Sequence, residues 1–263
     1  MSWVYVGKTD IYYIEEGQGQ PFVFIHGAIS CSQTWFQQFE AFRNRFRAIA
    51  YDSVNHGYSS NSPRDEEEPD RVNELEGFLA ALGIERPILA GNSMVGAMTL
   101  LRWGLRHPDG AAALIPSGAG IGEGTGTPPP PRAERQPISD DVLFLSAGTA
   151  LTDRFRAEQP LLHQRYIRVR STGTRLEAER HPRRPASATA ADRAIIHERI
   201  GSVRSPMCII VGSLDGAVPA AARLHKAVPH SEYHVIERAP HNVYYEAAAQ
   251  YNTIVADFLG RVL

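Results

Sequence analysis

Three residues, each just beyond a short apolar run, have the types and order needed for nucleophilic catalysis. Ser93 lies in Gly91-Asn92-Ser93-Met94-Val95-Gly96, which follows Pro87-Ile88-Leu89-Ala90 and precedes a helix-like stretch. A serine displayed on such a strand-to-helix bend is held at strained backbone angles, so small residues flank it. The helix that follows aims its unpaired N–H groups at the reaction centre. Serine at its ordinary basicity is a poor nucleophile; it needs a base within hydrogen-bond reach and a carboxylate that holds the base in one tautomer. Cys208-Ile209-Ile210-Val211-Gly212-Ser213-Leu214-Asp215 is an apolar run with an aspartate past its end. Tyr233-His234-Val235-Ile236-Glu237-Arg238-Ala239-Pro240-His241 is a second run, followed by a histidine. Ser93 is therefore the candidate nucleophile, His241 the candidate base and Asp215 its orienting acid. His234 sits inside a strand pattern and His230 precedes that strand, so both are less apt. A histidine base predicts turnover that rises with pH around the ~6.5 of a free imidazole.

The order Ser, Asp, His, each at the carboxyl end of an expected parallel strand, resembles the α/β-hydrolase superfamily, and the resemblance covers nearly the whole chain. Phe22-Val23-Phe24-Ile25-His26-Gly27-Ala28 is similar to the family's strand and His-Gly turn, and Trp35 falls where many members place an aromatic. Ala48-Ile49-Ala50-Tyr51-Asp52-Ser53-Val54-Asn55-His56-Gly57-Tyr58-Ser59 is similar to the next strand and its Asp-x-x-Gly-His-Gly-x-Ser turn, with Asn55 in the usual glycine position. Asp52 reads as fixing its own turn. The resemblance implies an α/β fold: a mostly parallel central sheet with helices on both faces, built from 1–116 and 202–263, with a cap insertion at 117–201. It implies an oxyanion hole formed by the backbone amides of Ala28 and Met94, a place for His26 in that turn, and no metal or organic cofactor. The other position this family uses for the acid, past the strand at 111–115, holds Ser117, Gly118 and Ala119, which leaves Asp215. One departure stands out. The residue two after the serine is usually small but here is Val95, with Gly96 behind it; a valine there crowds the turn at a cost of about 1–3 kcal/mol unless a facing small residue compensates, and the turn is expected to survive with a local adjustment.

The elements that must position these residues are legible in outline. Trp3-Val4-Tyr5-Val6 and Ile11-Tyr12-Tyr13-Ile14, split by Gly7-Lys8-Thr9-Asp10, read as an antiparallel hairpin at the sheet edge. Strands are expected at 22–26, 46–51, 87–91, 111–115, 207–212 and 232–236, alternating with helical patterns, which argues for a parallel sheet covered on both sides. The acidic run Arg64 to Asp70 reads as a solvated loop leading into a helix at 70–82. The alternation stops near Ile115-Pro116-Ser117-Gly118 and resumes near Ser202. Between them lie a glycine-rich stretch, the stiff Pro128-Pro129-Pro130-Pro131, helical patches at 140–151 and 157–170, and a loop-like region from Arg180 to Ala191.

Composition narrows the class. With 263 residues, 43% hydrophobic and 21% charged, the chain can bury a full core. A net charge of -2 provides no basic field for nucleic acid, and no uninterrupted apolar stretch suggests a membrane span or signal sequence. Cys31 and Cys208 form neither a metal spacing nor a disulfide framework. The expectation is a cytoplasmic protein with a small-molecule partner, no nucleic acid or membrane partner, and a sequence compatible with a homodimer.

Substrate class is less sharply marked. Ile29, Trp35, Val218 and Val243 adjoin the catalytic loops and either line an apolar acyl pocket or pack in the core. Arg154, Arg165, Arg168 and Arg175 of the insertion are candidates to clamp a substrate carboxylate. An ester or lactone substrate is the leading expectation. The elbow Gly-Asn-Ser-Met is also similar to that of the meta-cleavage-product hydrolases, which cut carbon-carbon bonds. Against that, Ala28-Ile29-Ser30-Cys31 stands where those enzymes have a glycine-rich segment, and Asn242 where they have a tryptophan. A non-catalytic receptor is the third reading. Ser93 excludes the dehalogenases and epoxide hydrolases of this fold, which use an aspartate at the elbow.

Overall fold

A computed structural model describes residues 2–28, 30–61, 70–122, 150–169 and 190–263. Eight strands form one sheet: β1 (Ser2–Val6), β2 (Thr9–Glu16), β3 (Pro21–Ile25), β4 (Arg47–Tyr51), β5 (Ile88–Asn92), β6 (Ala113–Ser117), β7 (Cys208–Gly212) and β8 (Glu232–Ile236). Their spatial order is β1-β2-β4-β3-β5-β6-β7-β8. The first hairpin and the β2–β4 pair are antiparallel and all other pairs are parallel. The chain runs outward from β3 to β4, then returns to place β5 on the other side of β3, with Ile25 opposite Gly91. Such a reversal opens a crevice at the carboxyl ends of the two strands, because the helices after them leave on opposite faces.

Burial explains why the inner strands read as unbroken apolar runs. Every residue of β5, β6 and β7 is buried, as expected where helices cover both sides of a parallel sheet. Alternate side chains feed two cores. Val23, Ile25, Leu89, Leu114 and Ile209 join the helices α2 (Arg71–Ala81) and α3 (Ser93–Arg106) on one face. Phe22, Phe24, Ala90, Ile115 and Ile210 join α1 (Phe36–Phe42) and the C-terminal helix Ala248–Val262 on the other. Asp70 caps α2, accepting from the amides of Val72 and Asn73.

The insertion departs from expectation in two places. The helix at 160–169 falls on the second helical patch, but another at Asp153–Glu158 lies mostly between the two patches, and 140–149 and 180–189 lie outside the described residues. The region read as loop up to Ala191 is already helical from Ala190, in a helix that runs to Arg199. Ile196 and Ile200 are buried in the core that α3 faces, and Asp192 pairs with Arg102 of α3 at 3.0 Å. A helix anchored by tertiary burial need not carry a strong local pattern. No described helix is long and apolar enough to cross a membrane.

Candidate active site

Ser93 sits where β5 gives way to α3, with a backbone φ of 64°. A non-glycine residue in the left-handed region costs about 1–3 kcal/mol and persists only where its surroundings over-determine it. Here two glycines do so. A Cβ at Gly91 would lie 2.5 Å from the carbonyl carbon and oxygen of Gly96, and a Cβ at Gly96 would lie 2.2 Å from the Ile25 oxygen. The small residues demanded by the bend are thus 91 and 96. The turn survives with Val95 in place: its side chain is buried, and the close backbone approach falls one residue later, at Gly96.

The candidate acid and the candidate base arrive on two loops that are zipped together. Leu214 N donates to Ala239 O at 3.0 Å, Ser213 N to Ile236 O at 3.0 Å, and Arg238 N to Ser213 Oγ at 2.8 Å. Gly212 lies against the same loop, where a Cβ would meet Ala239 O at 2.2 Å. In consequence His241 Nδ1 lies 2.8 Å from Asp215 Oδ2, and its Nε2 lies 2.8 Å from Ser93 Oγ. Asp215 Oδ1 accepts from Ala217 N at 3.0 Å, so both carboxylate oxygens are engaged. With Nδ1–H donating to the carboxylate, Nε2 is the lone-pair nitrogen that faces the serine hydroxyl. His230 is exposed, and His234 pairs with Glu232 at 3.1 Å, away from this centre.

The turn after β3 is braced from beneath. His26 Nδ1 donates to Gly27 O at 2.7 Å and its Nε2 accepts from Ser53 N at 3.0 Å. Burial lowers the His26 pKa, so this neutral, fully satisfied form is the one the fold favours. His56 Nε2 lies 3.0 Å from Ala28 O and its Nδ1 lies 3.1 Å from Val54 O. Asp52 holds its own turn through Tyr58 N at 2.9 Å and also takes Ser32 N at 2.6 Å, so it ties the two loops together. Met94 occupies the first turn of α3, where backbone N–H groups have no intrahelical partner.

The expected pocket residues separate on inspection. Trp35 has no exposed surface and stacks on Tyr244 at 4.0 Å; Val243 is equally buried in the same core. For both, core packing is the reading that describes their surroundings. Val218 opens a helix beside Asp215 and is half-buried, while Ile29 lies outside the described residues. A cavity of about 350 Å³ reaches His241 and is lined by Met98, Gly118, Ile121, Ile196 and Ala217, with Arg193 at its wall. None of these was read from the sequence as a pocket residue; Gly118 was weighed there only as part of the other position for the acid. Among the insertion arginines, Arg154 pairs with Glu246 at 3.5 Å and Arg165 lies 3.4 Å over the Phe36 ring; Arg168 is exposed, and Arg175 is outside the described residues. Among the described residues, Cys208, Glu232 and His234 form one group with metal-ligand atoms within 4.8 Å of one another. It lies at the opposite end of the sheet, and Arg261 already holds the glutamate.

Comparison with known proteins agrees with this fold. A 2-hydroxy-6-oxononadienedioate/2-hydroxy-6-oxononatrienedioate hydrolase of Paraburkholderia phymatum is 25% identical over 267 residues, covering 95% of this chain and 91% of that protein. Among solved structures, Est816, an N-acyl homoserine lactone degrading enzyme, superposes with a TM-score of 0.78 at 24% identity, covering 98% of this chain and all of the other. A meta-cleavage product hydrolase from Pseudomonas fluorescens IP01 superposes with a TM-score of 0.78 at 20% identity, covering 100% and 98%. At such identities the structural likeness speaks for the fold alone. The sequence profile of the Alpha/beta hydrolase family matches residues 22–254, spanning the strand before the His-Gly turn, the elbow and the histidine, and the chain belongs to that family.

Proposed function

We propose that this hydrolase cleaves a carboxylic ester or lactone through an acyl-enzyme formed on Ser93. The observation that carries the reading is the position of His241, 2.8 Å from both Ser93 Oγ and the Asp215 carboxylate. Ser93 Oγ attacks the carbonyl carbon as its proton passes to His241 Nε2, and Asp215 steadies the imidazolium that forms. The tetrahedral oxyanion is received by the amides of Ala28 and Met94, an interaction in which one donor is worth about 3–4 kcal/mol. His241 then returns the proton to the leaving oxygen as the carbon-oxygen bond breaks. A water deprotonated by the same ring hydrolyses the acyl-enzyme. The apolar walls of the cavity at His241 suit a small or medium apolar acyl part.

Carbon-carbon bond hydrolysis is the second reading. It is favoured by the Paraburkholderia relative, a dienedioate hydrolase matched over nearly its whole length, and by the Gly-Asn-Ser-Met elbow. The test is kcat/KM for an aryl ester, a lactone and a 2-hydroxy-6-oxo-dienoate side by side, with the Ser93→Ala protein as blank. Ester or lactone dominance supports the first reading, and dienoate dominance replaces it with the second. Turnover that survives in Ser93→Ala rejects Ser93 as the nucleophile. Binding without turnover of any of the three supports a receptor.

A further inference from the structure

Asn92 directly precedes Ser93, Asn242 directly follows His241, and each stands at the N-cap of a helix. An asparagine there ordinarily turns its side chain onto the amides of its own helix. Neither does so. Asn92 Nδ2 donates to Asn242 Oδ1 at 2.8 Å, Asn242 Nδ2 donates to Tyr166 Oη at 2.6 Å, and Ser117 Oγ donates to Asn92 Oδ1 at 3.1 Å. All four side chains are buried. The bonds therefore form a chain of one polarity out of water, where an unpaired amide is costly and linked hydrogen bonds reinforce one another.

The outer end of this chain belongs to the insertion. Tyr166 lies in the helix 160–169, and its ring packs edge-on against Tyr245 at 4.9 Å. Tyr245 Oη donates to Leu162 O at 2.9 Å, Asn242 N donates to Ala150 O at 3.1 Å, and Thr152 N and Oγ1 donate to the Glu246 carboxylate at 2.7 and 2.6 Å. The segment just past His241 is thus shared between the core and the described stretch of the insertion at 150–169. Ser93 and His241 come from loops 148 positions apart, and their contact requires those loops to keep register. The Asn92–Asn242 bond joins the neighbours of both.

We propose that Ser117, Asn92, Asn242 and Tyr166 form a positioning ladder that sets the Ser93–His241 geometry and makes it depend on how the insertion is seated. The inference rests on the reading of Ser93 and His241 as nucleophile and base. None of the four side chains contacts the reacting atoms; they act through the two residues they flank.

Tyr166→Phe removes one oxygen and keeps the ring packing, and Asn92→Ala breaks the inner end. On an aryl ester, Tyr166→Phe is expected to lower kcat by about ten-fold with KM within about two-fold, the split of an interaction that matters in the transition state. Phosphonylation of Ser93 by a fluorophosphonate should slow in proportion. The Tyr166→Phe/Asn92→Ala double variant should lose no more than Asn92→Ala alone, since both cut one chain. A readout independent of activity is hydrogen exchange: Asn92→Ala should speed exchange across 160–169, and Tyr166→Phe should speed it across 241–246, because coupling is reciprocal. Multiplying kinetic losses with exchange unchanged at the distant end would overturn the ladder, as would wild-type kcat in Tyr166→Phe. Turnover persisting in Ser93→Ala would instead overturn the nucleophile assignment, and the exchange result would then decide the ladder by itself.

Discussion

Gly96 lies directly beneath the carbonyl oxygen of Ile25, so closely that a Cβ at position 96 would come within 2.2 Å of it. That approach lets α3 start hard against β3 and swings Ser93 over the crevice. Gly96→Ala is expected to push the helix away, costing about 1–3 kcal/mol as overpacking does, and to lower kcat more than it raises KM. Val95→Gly tests the opposite idea, that the valine strains the elbow. It should destabilise, by about 1.5–3 kcal/mol for lost burial and about 1 kcal/mol for a glycine in a helix. Thermal melts of both variants decide the matter; a rise in Tm for Val95→Gly would mean that the valine does crowd the turn.

Asp215→Asn should keep the hydrogen-bonded shape and reverse its logic. An amide beside His241 Nδ1 permits the tautomer in which Nε2 carries the proton and cannot accept one from Ser93. A fall in kcat on the order of 10⁴ is expected with the fold retained. Circular dichroism and steady-state kinetics on the same preparation check it, and activity within about ten-fold of wild type would remove Asp215 from the mechanism.

Ala28 is a main-chain donor in the proposed mechanism, so only a change that deletes its N–H reveals it. Ala28→Pro is expected to cost about 10²–10³ in kcat, the worth of one oxyanion-hole donor. Ala28→Ser, which keeps the amide, is the matching control. Equal activity of the two folded variants would exclude position 28 from the oxyanion hole.

His56 ties that same turn to its neighbour and links stability to pH. Burial, with the Arg71 guanidinium close by, holds its pKa well below the ordinary histidine range. The folded chain therefore keeps it neutral, while the unfolded chain takes up a proton once pH falls below ~6.5. The unfolded state then binds more protons, so this contribution is full above ~6.5 and is lost as pH drops below it. The Tm difference between wild type and His56→Gln should be larger at pH 8 than at pH 5. A difference that does not change across that range would show that His56 is not the source of the linkage.

Much of the scaffold and the three proposed catalytic residues were legible without coordinates, for local reasons. Short apolar runs mark the strands, the ends of those runs mark where loops begin, and Ser93, Asp215 and His241 each follow such an end, so side-chain chemistry and chain order sufficed to nominate them. The reversal of strand order at β3 and β5 then brought them to one crevice. What only the tertiary structure decided is set by approach from the far side of a residue, which no local pattern records. Trp35 and Val243 look alike as pocket or core until the Tyr244 ring is seen stacked on one and the sheet packed on the other. Val95 carried the suspicion that belonged to close packing at Gly91 and Gly96, because the opposing surface is the backbone of another strand. Asn92 and Asn242 stand 150 positions apart, each beside a residue the sequence had already singled out. Whether an amide caps its own helix or reaches across to another loop depends on what the fold brings within about 3 Å of it.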